Sequence, residues 1–139
     1  MTPRVVLDTN ILVSALLKPQ GLEDQVLRLA LSGKVELYTS SAVLAEYTLV
    51  LPRPKLKLRP LEIERALTEL RKASKIVHPH RTLAIAGHEP DNRFLECADR
   101  AIADFLITGN AKDFPKQWKT TKVVNARQFL EHLIPLQSE

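Results

Sequence analysis

Short apolar runs of strand type alternate with helix-patterned segments along this chain, and that alternation limits the fold more than any other feature. Arg4-Val5-Val6-Leu7 is a β-branched run that reads as a buried strand. Asn10 can cap a helix over Ile11 to Leu17, which Pro19-Gln20-Gly21 ends. Leu22, Val26 and Leu29 share one helix face, and Gly33 stops it. Val35 to Tyr38 reads as a second strand, followed by a helix capped at Ser40 or Ser41 and running to about Leu51. Pro60 opens a helix with Ile63, Leu67 and Leu70 at helical spacing, and Ile76-Val77 is a weak strand. Asp91 begins a helix with Phe94, Ala98 and Ala101 on one face, leading into a strand at 105–108. Val123-Val124 and a closing helix around Phe129, Leu130 and Leu133 complete the pattern. Such alternation predicts an α/β fold: a central parallel sheet with helices on both faces.

At 139 residues, all of it fits one domain, 1–139, large enough to bury a core without staples. The lone Cys97 excludes an internal disulfide framework and a cysteine-only zinc site; it sits on an apolar helix face and reads as core. His78 and His80 flank Pro79, with no further ligand pattern to suggest zinc. No apolar stretch approaches the ~20 residues of a membrane helix, and no signal-peptide pattern opens the chain. The expectation is a cytoplasmic protein with no membrane partner.

Ligands of open parallel sheets bind beyond the carboxyl ends of the strands. Several polar residues fall at that edge. Asp8 ends the first strand inside an otherwise apolar stretch, although capping alone would explain it. Glu46 is a lone carboxylate among Ala42 to Val50, where a solvent-facing position is the ordinary alternative. Asp91 suits a helix start in any protein, yet parallel winding brings this start to the same edge. Thr108-Gly109-Asn110 follows a strand, and Asp113 comes soon after. Glu96 is within reach of the site, Asp99 is read as facing water, and Asp104 belongs at the opposite end. Carboxylates gathered in one cleft repel one another unless a cation intervenes; oxygen ligands suit Mg²⁺ or Mn²⁺, which in turn suit phosphate chemistry.

These pieces together resemble the PIN-domain family. Val6-Leu7-Asp8-Thr9-Asn10 resembles its opening strand and first acid, and Ser41 to Glu46 its helix with the glutamate. Glu89-Pro90-Asp91-Asn92 through Ala98 resembles the third acidic segment, and Ala103 to Phe114 the closing strand and loop. The likeness is nearest to the VapC-like branch, toxins of toxin–antitoxin systems. It implies a three-layer α/β/α domain, Mg²⁺- or Mn²⁺-dependent endoribonuclease activity on RNA, a cognate antitoxin and a homodimer. Asp8, Glu46 and Asp91 take the catalytic and metal-binding positions, with Asp91 chosen over Asn92 for its charge. Asn10, Thr108 and Asn110 become polar support. Many members carry an acid where this chain has Asn110, and Asp113 is the candidate substitute as a metal ligand. That departure motivates an alternative: a non-catalytic module that binds RNA or protein.

The net charge of +4 hides a division. Residues 53–81 hold nine basic against three acidic residues, a net +6, while the remainder holds eleven against thirteen, a net −2. Arg53, Lys55, Lys57 and Arg59 alternate with apolar residues. In an extended conformation they would project one way, a track for a phosphate backbone. The bland alternative is a solvated surface. No aromatic residues interleave, so base stacking is not indicated.

Overall fold

Val5, Val6 and Leu7 are fully buried, and the sheet is assembled around them. In the computed structural model, which describes residues 2–87 and 89–137, the elements follow in chain order. They are β1 (Arg4–Leu7), α1 (Thr9–Leu17), α2 (Leu22–Leu31), β2 (Glu36–Thr39), α3 (Ser41–Val50), α4 (Pro60–Ala73) and β3 (Lys75–Ile76). Then come α5 (Glu89–Ala101), β4 (Phe105–Ile107), β5 (Gln117–Trp118), β6 (Thr121–Val124) and α6 (Ala126–Gln137). The sheet order is β3-β2-β1-β4-β6-β5. All neighbours are parallel except β5, which pairs antiparallel with β6. The expected parallel sheet therefore forms, with an antiparallel edge strand that two residues of sequence did not announce.

The chain steps outward from β1 to β2 to β3, then returns to place β4 on the other side of β1. Right-handed crossovers in opposite directions put their helices on opposite faces. Accordingly α5 packs across β1, β2 and β4, whereas α2 contacts β2, α4 and α6; α3, the first helix of the β2-to-β3 connection, packs instead against α5. This is the three-layer arrangement that the alternation predicts. The order reverses between β1 and β4, so their carboxyl ends form the switch point where such sheets bind ligands.

Local chemistry sets the boundaries. Gly33 adopts φ 81°, a left-handed turn suited to glycine, and closes α2 as expected. The first helix starts earlier than predicted: Asp8, not Asn10, is its cap, with the side chain accepting from Thr9 N. Likewise α5 starts at Glu89, which puts Asp91 inside the first turn. Cys97 is fully buried in the core as expected, and burial pushes its thiol up to about 12. Among the described residues, no helix is long and apolar enough to cross a membrane.

Candidate active site

Asp8 stands directly after β1 at the switch point. Its backbone N–H donates to Ile107 O at 2.9 Å, which ties it to the end of β4. Its carboxylate is almost fully buried, at 7% exposure. One oxygen accepts from Thr9 N at 2.7 Å and the other from the Thr108 hydroxyl at 2.7 Å. Burial is the largest influence on this group and raises its pKa. The Thr108 bond pulls it down, Asp91 pushes it up, the Thr9 bond pulls down and Glu46 pushes up. The balance raises it from the ordinary 3.8 to about 6.

Thr108 is held by a small web. Its hydroxyl receives Asn110 N at 3.0 Å and the Asn10 amide at 3.4 Å. With its lone pairs engaged, its single proton is aimed at Asp8. The Asn10 carbonyl oxygen accepts from Gly109 N at 2.8 Å. The first turn of α1 and the loop after β4 are thus stitched together by Asn10 and Thr108, with no metal-ligating role required of either side chain.

The other two acids arrive on separate helices. Ser40 caps α3 by accepting from Val43 N at 3.2 Å, and half-buried Glu46 follows on the next turn. Asp91 is buried on the first turn of α5. Both raise the pKa of Asp8 electrostatically, so both share its surroundings. The neighbouring Asn92 is engaged elsewhere. Its carbonyl oxygen accepts from Ile85 N and Ala86 N at 3.0 and 2.8 Å, and its amide donates to Ala86 O at 3.3 Å. Asn92 clamps the preceding loop, and Asp91 is the residue electrostatically coupled to Asp8.

A family model described as PIN domain matches residues 4–112 of this chain. The chain belongs to the PIN domain family. It is 33% identical over 110 residues to an uncharacterized protein of Methanocaldococcus jannaschii, covering 77% of this chain and 70% of that one. Its fold is similar to that of a chain in the crystal structure of VapBC2 from Rickettsia felis bound to a DNA fragment from their promoter. That match has a TM-score of 0.57 at 21% identity and covers 88% of this chain and 98% of the other. The PIN resemblance of the motifs is borne out at the level of family, and the α/β architecture it implies at the level of fold.

This PIN chain departs from the sequence expectations at several acids. Asp113 is exposed in a 3-10 turn (Ala111–Asp113), one residue past the family match. Asn110 is exposed too, and its role is the backbone bond to Thr108. Glu96 does not reach the site: it accepts from Leu83 N at 2.8 Å and pairs with Arg93 at 2.8 Å. Asp99 is not water-facing, because Arg81, Lys119 and the Trp118 indole all donate to it. Its burial opposes ionisation, but those donors prevail and hold it down to about 2. Asp104 lies at the amino end as expected, accepting from Arg4 N at 2.8 Å.

The basic segment is not extended. Pro54–Leu56 forms a 3-10 turn and Lys57 takes φ 55°. Proline at the first position fixes a turn, so the one-sided projection expected of an extended run does not arise from a strand. Even so, Arg53, Lys55, Lys57 and Arg59 are all exposed while Leu56 and Leu58 are half-buried. Arg59 also borders a groove of about 940 Å³ between α2 and α4.

The donor set at the switch point is all oxygen, which fits a hard divalent cation. Among the described residues, no three Asp, Glu, His or Cys side chains already ring a common point. Mg²⁺ needs no such cage, since it keeps several waters and takes one or two carboxylates. A carboxylate pushed up by burial, and further by two neighbouring acids, is a group that a cation would relieve.

Proposed function

We propose that this PIN chain is a Mg²⁺- or Mn²⁺-dependent endoribonuclease, the toxin of a toxin–antitoxin pair. The reading rests on one observation: buried Asp8, at the end of β1, is electrostatically coupled to Asp91 on α5 and Glu46 on α3. Asp8, Glu46 and Asp91 would hold the ion. When bound, it supplies a nucleophilic water at neutral pH and a counter-charge for the phosphoryl oxygens. Thr108 keeps Asp8 ionised by donating to it, and Asn10 keeps Thr108 in place. Arg53, Lys55, Lys57 and Arg59 supply non-specific contacts to the RNA backbone. The Rickettsia felis neighbour is a VapBC complex, which supports an antitoxin as the protein partner; a homodimer is proposed on the same family likeness.

Cleavage of a generic RNA in Mn²⁺ tests this reading. The wild type is expected to cut, and Asp8→Asn to fall to background. Equal cleavage by the two proteins would remove it. The exposed Asn110 and Asp113 favour a second reading, a PIN-fold module that binds RNA or protein without cutting. In that case the wild type would bind RNA and leave it intact at millimolar Mn²⁺.

A further inference from the structure

We infer that Tyr47 is the positioning residue that sets the spacing of the three acids, and with it the affinity of the site for a divalent cation. The inference rests on the metal-dependent reading above and adds a residue to it. Tyr47 is fully buried, although it follows half-buried Glu46 directly on α3. Its hydroxyl donates to the backbone carbonyl of Leu7, the residue just before Asp8. Its ring lies 6.2 Å from that of Phe94, tilted by 37°. Phe94 is one helical turn beyond Asp91 on α5. One side chain therefore touches all three elements that carry the acids, each time within a turn of the acid itself.

The physical consequence follows from rigidity. A buried hydroxyl without a partner is costly, so the bond to Leu7 O persists as long as the core does. The ring contact resists a shift of α5 against α3, because packed interiors leave few alternative placements. Neither contact uses the carboxylates. Partners that orient metal ligands from behind typically change metal affinity by 10–100-fold when removed.

The test is Mn²⁺ binding by calorimetry at pH 7.5, on wild type, Tyr47→Phe and Val43→Ala. Tyr47→Phe keeps the ring and deletes only the hydroxyl. Val43→Ala removes buried apolar volume from α3 while keeping the Tyr47 hydroxyl and ring, and serves as the control for lost stability. Tyr47→Phe is expected to bind Mn²⁺ about tenfold more weakly, with Val43→Ala unchanged. In cleavage assays the same variant should need more Mn²⁺ for half-maximal rate, with the rate at saturating Mn²⁺ near that of wild type. Wild-type affinity in Tyr47→Phe would overturn the role of Tyr47 alone. Equal weakening in Val43→Ala would overturn it as well, by showing a general effect of stability. No Mn²⁺ binding by the wild type would overturn the metal reading, and this inference with it. If Tyr47→Phe does not fold, Phe94→Leu loosens the ring contact and leaves the hydroxyl bond. Weaker Mn²⁺ binding by that variant supports the role, and unchanged binding contradicts it.

Discussion

Asp8 carries two opposed demands. Two hydrogen bonds favour its ionised form, while burial and two neighbouring acids oppose it, and its pKa settles near 6. The folded value lies above the unfolded one, so the native state binds the extra proton between pH 4 and 6. Without a cation, stability is therefore greatest at the acid end of this window and is lost as pH rises through it. A shift from 3.8 to about 6 corresponds to roughly 3 kcal/mol. Asp8→Asn should abolish this loss. In urea titrations with a chelator, the variant should be the more stable protein at pH 8 and gain little at pH 4. Equal pH profiles for the two proteins would show that Asp8 is not strained. The chemistry of Asp8 was legible in the sequence because a lone acid interrupts an apolar strand. The resemblance supplied Asn10 and Thr108 as polar support, but which bond each makes was not legible, because the two are 98 positions apart. Tyr47 was concealed for another reason: in sequence it is one more apolar neighbour of Glu46, and only the fold shows where its hydroxyl goes.

At the scale of elements, α5 does more than deliver Asp91. Asn92, Arg93, Glu96 and Asp99 on this helix fasten the irregular segment after β3 through Ile85, Ala86, Leu83 and Arg81. A stretch with little secondary structure of its own is thus held by side chains, as its buried backbone groups require. Asn92→Ala removes three of these bonds and leaves two backbone N–H groups without their acceptor. It should cost about 1–3 kcal/mol and open this segment to proteolysis while α5 stays helical. Unchanged cleavage by protease would mean the clamp is idle. Helix and strand existence was readable from periodicity, and Leu22, Val26 and Leu29 or Ile63, Leu67 and Leu70 left little choice. The errors fall where length or local geometry decides. β5 has two residues and no pattern, and Pro54 turns the 53–59 run, whose alternation left its conformation open.

Across the whole molecule, the division of charge matters more than its sum. The proposed acidic site lies around Asp8 at the switch point, while the exposed cations of 53–59 lie on the connection between α3 and α4. Four phosphate contacts to a single strand would contribute a salt slope of roughly 3 in log–log units. Replacing Arg53, Lys55, Lys57 and Arg59 by Gln should flatten the salt dependence of RNA binding by about that amount and weaken binding similarly across sequences. An unchanged slope would move the RNA path elsewhere. The overall architecture was open to sequence reasoning because right-handed crossovers leave few ways to wind alternating elements. Whether acids 38 to 83 positions apart meet at one point was not, since topology specifies an edge and not a distance.

The central claim is that Asp8, Glu46 and Asp91 hold a divalent ion together. Anomalous diffraction from a crystal soaked in Mn²⁺ tests it directly. The account predicts a peak at the carboxyl ends of β1 and β4, within about 2.0–2.3 Å of carboxylate oxygens from at least two of the three acids. A peak at Asp113 alone, or none at the switch point at millimolar Mn²⁺, would contradict it.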